Sequence, residues 1–160
     1  MKKIIIISDC DGILTNGTSI YTQDGKIAKI YGSYDTEAIK FAINNKIEFL
    51  FVSNDSNGWS ITKRRLDEYK NRGWCNYQLA SAKERKELVE EYKNKEYFVV
   101  FVGDSISDIE AGLEADLFCT TNNGFDEVKN QCDYIADRDG GNGGFAQIIY
   151  FVNNYIYRIL

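Results

Sequence analysis

Histidine and proline are both absent from this 160-residue chain, and methionine occurs once. Without imidazole there is no Ser-His-Asp hydrolase, no phosphohistidine chemistry and no zinc site that needs a ring nitrogen. The four cysteines, Cys10, Cys75, Cys119 and Cys132, are scattered and form no C-x-x-C pair, so they read as free cytosolic thiols. No run approaches the ~20 apolar residues of a membrane span. Ile4 to Ile7, after Lys2 and Lys3, is too short for a signal-peptide core and reads as a buried strand. A net charge of -5 argues against nucleic acid or an anionic membrane as partner. Chemistry here has to run on carboxylates, lysines, hydroxyls or thiols.

Thirteen glycines, 44% hydrophobic and 27% charged residues describe a soluble globular chain, and at this length roughly 70% of the unfolded surface can be buried in one core. No repeat, low-complexity tract or linker divides it, so residues 1–160 read as one domain. Short β-rich runs alternate with helical stretches. Lys3–Ser8, Ile47–Val52 and Tyr97–Val102 read as buried strands of a parallel sheet, with shorter ones near 76–79, 115–119 and 133–136. Residues 18–31 turn at Asp24-Gly25 and predict a β-hairpin. Asp35 is the expected cap of a helix running to Asn44 with Ala38, Ile39, Ala42 and Ile43 inward. Further helices follow from Trp59 to Tyr69, from Ala82 to about Lys93 and from about Ile106 to Glu114. The last carries Phe145, Ile148, Ile149, Val152, Ile156 and Ile159 on one side. This pattern predicts an α/β fold: a three-layer Rossmann-like sandwich with a central parallel sheet and a small hairpin.

Ligands in such sheets bind beyond the carboxyl ends of the strands, and the acids fall there. The first strand runs into Asp9-Cys10-Asp11-Gly12, and the Tyr97–Val102 strand ends in Gly103-Asp104-Ser105-Ile106-Ser107-Asp108. Positions two apart on extended chain share a face, so Asp9 and Asp11 point together while Cys10 points away and is a bystander. Carboxylates held this close repel unless a cation sits between them or one of them holds a proton. Oxygen ligands with no histidine or paired cysteine suit Mg²⁺. Cys132 and Arg138 have C-x₅-R spacing, but Asp133 and Asp137 between them would repel a phosphate. Asp137-Arg138-Asp139 and the glycines after it are only a fragment of a calcium loop, and read as a flexible connection.

The segment Asp9-Cys10-Asp11-Gly12-Ile13-Leu14-Thr15-Asn16-Gly17 resembles the first motif of the haloacid dehalogenase-like phosphatases. Its L-T-x-G ending is similar to the cap-less branch that includes 3-deoxy-octulosonate 8-phosphate phosphatases. The resemblance covers nearly the whole chain and implies Asp9 as nucleophile, Asp11 as general acid and base, and Ser53 with Asn54 and Gly12 around the phosphate. Lys83, with Lys86 as the substitute, falls at the motif lysine, on a helix face that otherwise reads as solvated charge with Arg85. Asp9, Asp11 through its carbonyl, Asp104 and, further out, Asp108 would hold Mg²⁺. The implied partner is a small phosphorylated substrate, first a sugar phosphate of the octulosonate or nonulosonate type and otherwise a nucleotide or other metabolite. The chain departs from that branch where Asn54 and Asp55 replace a glycine and an arginine, and where Phe145-Ala146-Gln147 lacks a basic residue. Cap-less relatives form tetramers, so a cytoplasmic homotetramer with the hairpin at its interface is expected. A receiver-like phosphoacceptor or a catalytically silent assembly module are the other readings, although receivers lack the second acid that Asp11 supplies.

Overall fold

The computed structural model describes residues 2–159, with side chains as far as Ile156. Met1 and the inward place expected for Ile159 therefore lie outside the described residues. In chain order the elements are β1 (Ile4–Asp9), β2 (Thr15–Thr22), β3 (Gly25–Tyr31), α1 (Tyr34–Asn44), β4 (Ile47–Ser53), α2 (Trp59–Lys70) and β5 (Asn76–Leu79). There follow α3 (Ala82–Asn94), β6 (Phe98–Val102), α4 (Ile109–Glu114), β7 (Leu117–Thr120), α5 (Asp126–Lys129), β8 (Tyr134–Ile135) and α6 (Gly144–Ile159). Six strands form one parallel sheet in the order β5-β4-β1-β6-β7-β8, while β2 and β3 pair with each other as an antiparallel ribbon.

Because β1 is covered on both faces, it has no polar-apolar alternation. Ile4 and Ile6 face a core shared with α1, α2 and α6, and Ile5 and Ile7 face another with α3, α4 and α5. Three layers result, as the sequence predicts. Helix α6 seals the first core with Phe145, Ile148, Ile149 and Val152. Ser81 begins α3 with a capping box, its side chain accepting from the Glu84 N–H while Glu84 accepts from the Ser81 N–H.

Parallel register brings three strand ends together. Asp9 stands beside Val52, one residue before Ser53, and Ser8 stands beside Val102, one residue before Gly103. Strand order reverses around β1, with the chain first building outward through β4 and β5 and then crossing to β6. This is the switch point at which a parallel sheet opens a crevice.

Several expectations change. The hairpin begins earlier, at Thr15, and a 3-10 turn (Ile106–Asp108) precedes α4. Helix α5 has too few residues to show periodicity and escaped prediction. The loop before α6 is packed rather than flexible: Gly141 donates its N–H to the Ile13 carbonyl, and a Cβ at Gly140 would lie 2.0 Å from the Gly12 oxygen. Asp35 does not cap α1. Ser33 is at that place, and Asp35 sits inside the first turn, 2% exposed, accepting from the Ala146 N–H at the start of α6. Burial, partly offset by that hydrogen bond and by Arg65, raises its pKa to about 7, and its Oδ1 has no partner.

A folded carboxyl near 7 against an unfolded one near 3.8 means that the native state holds the extra proton between those values. Stability then falls as pH rises through this window and levels off above it. Asp35→Asn, which cannot ionise, should flatten that part of the profile and raise stability at pH 8 by on the order of 1–3 kcal/mol. Urea midpoints from pH 4 to 8 check this, and parallel profiles for the two proteins would refute it.

Candidate active site

At the carboxyl edge of β1, β4 and β6 lies a cleft of about 280 Å³ lined by Asp9, Asp11, Gly12, Ser53, Asn54, Arg85, Asp104 and Phe125, among others. Asp9 ends β1, 7% exposed, and its Oδ1 accepts from the Cys10 N–H at 2.8 Å and from Arg85 at 3.2 Å. Cys10 points into the opposite core, fully buried. Ser53 ends β4, and its hydroxyl accepts from the Asp55 N–H at 3.1 Å. Asn54 is exposed at the cleft wall.

Asp104 and Asp108 come from the loop after β6. One oxygen of Asp108 accepts from the N–H groups of Asp104 and Ser105, both at 3.1 Å, and from the Ser105 hydroxyl at 2.9 Å. Its other oxygen accepts from Arg85. Asp108 thus shapes the loop that presents Asp104. Gly12 is needed here for two reasons: its φ of +80° disfavours any side chain, and a Cβ would lie 1.8 Å from Asp104 Oδ2. Its carbonyl is fixed in turn by Thr121 and Asn123 at 3.1 and 3.0 Å.

Carboxylate oxygens of Asp9, Asp104 and Asp108 all lie within 4.8 Å of one another, the one such cluster among the described residues. Asp9 is pushed well above the ordinary carboxylate range, first by burial and then by Asp108, against the pull of Arg85. Burial and then Asp108 push Asp104 up to about 7. Three acids facing a lone guanidinium leave an excess of negative charge that a hard divalent cation would balance, and oxygen donors fit Mg²⁺. The side chain of Asp11 is outside this cluster. Its Oδ2 accepts from Lys29 at 2.8 Å, and about a third of the side chain is exposed.

The structure does not bring Lys83 to the cleft. Its side chain is 86% exposed and pairs with Glu87, and Lys86 does not line the cleft either. The cation there is Arg85, 2% exposed, joined to Asp9 and Asp108. A signal for it was present: Arg85 precedes Leu88 and Val89 by three and four positions, which places it on the buried face of α3. Lys29 had no comparable signal, since it interrupts an apolar run of β3 and reads as its wet side.

The chain is thus a Rossmann-like parallel α/β sandwich with acids gathered at its switch point. No protein-family model matches the chain, and no curated protein matches it significantly in sequence. Solved structures do. It is similar to 3-deoxy-D-manno-octulosonate 8-phosphate phosphatase from Moraxella catarrhalis, solved with magnesium, phosphate and KDO, at 24% identity and a TM-score of 0.81 over 99% of this chain and 92% of that one. The cobalt-bound enzyme of Haemophilus influenzae gives 24% and 0.77 over 95% and 90% of the two chains. For that of Yersinia pestis the values are 16% and 0.78, over 97% and 85%. At such identities the likeness establishes the fold.

Replacing Arg85 strands two buried carboxylates, whereas Lys83 stands in water. Arg85→Met should lower the unfolding free energy by about 3–5 kcal/mol, and Lys83→Ala should stay within about 0.5 kcal/mol of the parent. Urea denaturation checks both. Equal losses would show that the guanidinium is not the buried partner of Asp9 and Asp108.

Proposed function

We propose that this chain is a Mg²⁺-dependent phosphomonoesterase of the haloacid dehalogenase-like superfamily, working through an aspartyl-phosphate. The observation that carries the reading is the convergence of Asp9, Asp104 and Asp108 beside Arg85 and Ser53 at the end of β1. The fold shared with octulosonate 8-phosphate phosphatases supports it.

Asp9 Oδ1 is held by Cys10 and Arg85, which leaves Oδ2 to attack phosphorus in line. As the bond to the leaving oxygen breaks, Asp11 gives that oxygen a proton. Asp11 then takes a proton from the water that attacks the aspartyl-phosphate, freeing phosphate and the Asp9 carboxylate. Ser53, Asn54 and the Gly12 backbone line the space for the phosphoryl oxygens, with Arg85 the cation nearest the nucleophile. Mg²⁺, held by Asp9, Asp104 and the Asp11 carbonyl, would neutralise charge between nucleophile and phosphate. Asp108 would act behind it by fixing Asp104 and Arg85.

The substrate is a small phosphorylated metabolite, with sugar phosphates of the octulosonate or nonulosonate type first. A nucleotide or another small phosphorylated metabolite is the alternative, since Asp55, two residues after Ser53, is taken up by Lys26 and Lys29 and offers no cation to a substrate carboxylate. No helix among the described residues is long and apolar enough to cross a membrane. We place the protein in the cytoplasm on its free thiols. A homotetramer is supported by the exposed apolar residues Ile20, Tyr21, Ile27 and Ile30 on the hairpin.

Turnover of p-nitrophenyl phosphate should require Mg²⁺, stop on chelation, and vanish in Asp9→Asn. A panel of phosphorylated metabolites including octulosonate 8-phosphate then ranks substrates. Activity that survives Asp9→Asn would remove the nucleophile, and a fully active monomer in dilute solution would remove the tetramer.

A further inference from the structure

Lys29 occupies the middle of β3, on a ribbon where isoleucines would be expected inside and lysine outside. The arrangement is inverted. Ile27 and Ile30 are more than half exposed, whereas the Lys29 side chain is wholly buried. A buried ammonium is unfavourable unless its protons find acceptors. Its Nζ lies 2.8 Å from Asp11 Oδ2, 2.8 Å from Asp55 Oδ2 and 2.8 Å from Thr62 Oγ1. An ammonium has three protons to donate, so none remains for a phosphate. Burial opposes its charge, but the hydrogen bonds to Asp11 and Asp55 outweigh that and leave its pKa above the usual value.

The three acceptors come from three segments: the loop after β1, the loop after β4, and α2. Asp55 is itself fixed, taking the Gly58 N–H at 3.0 Å at the start of α2 and a second ammonium from Lys26. Asp11 therefore hangs from an anchored cation by one oxygen, Oδ2, with the rest of its carboxylate at the cleft. We propose that Lys29 is a positioning residue that fixes Asp11 for proton transfer to the leaving group, and that docking of the hairpin thereby sets up the acid step. This rests on the reading of Asp11 as general acid.

The test compares two substrates of similar shape that differ in their need for a proton. Phenolate from phenyl phosphate leaves poorly unless protonated, and p-nitrophenolate leaves without help. General acid catalysis contributes about 10²–10⁴-fold. Lys29→Met should therefore lower kcat/KM for phenyl phosphate at least ~10-fold more than for p-nitrophenyl phosphate, with KM for both little changed. Asp55→Asn, which keeps its size and loosens the anchor, should show the same asymmetry and serves if Lys29→Met does not fold. Equal losses on both substrates, with the parent enzyme active, overturn the positioning role alone. A parent that hydrolyses neither substrate overturns the phosphatase reading, and this proposal with it.

Discussion

Arg85 stands between Asp9 and Asp108 with almost no contact with water, and the geometry of the cleft follows from that placement. The parallel register would bring the acids of β1 and β6 to one edge in any case, but like charges in a buried place push one another apart or take up protons. A planar guanidinium can reach two carboxylates at once and keeps its charge when buried. With one Asp108 oxygen on Arg85 and the other on backbone N–H groups, the loop carrying Asp104 has little freedom. The surplus of acid over base that remains is what a hard cation at this edge would balance.

A second buried cation organises the other side. Lys29 and Lys26 tie the hairpin to Asp55, and Lys29 reaches on to Asp11. The ribbon that replaces a separate cap is thus joined to the cleft by charge, and its apolar residues are left facing outward. The two sides differ in kind. On the Arg85 side carboxylates exceed cations, which suits metal binding, whereas on the Lys29 side the charges are matched and the chain is held.

Much of the architecture was legible because its signals are local. Unbroken apolar runs at Ile4–Ile7 and Val99–Val102, the turn at Asp24-Gly25 and the amphipathic stripe of α6 each state their element within a dozen residues. Helix α5 and the role of Asp35 were not legible, the first for want of length and the second because its partner, the start of α6, is over a hundred residues away. Among the site residues, Asp9, Asp11, Gly12, Ser53, Asn54 and Asp104 come to one cleft, as their places at strand ends imply. Lys83, placed by resemblance at the motif lysine, does not, because the buried face of α3 carries Arg85 and Val89 and leaves Lys83 in water.

The chain alone determined the kind of molecule: a parallel α/β sandwich, with acids after β1 and β6 and no imidazole to compete for a cation. Those features rest on residue type and on periods of two and 3.6, which neighbours along the chain enforce. Only the tertiary structure decided which cations serve the acids. Arg85 and Lys29 meet partners from strands and loops far away in sequence, and a buried charge goes where acceptors converge rather than where its neighbours are polar.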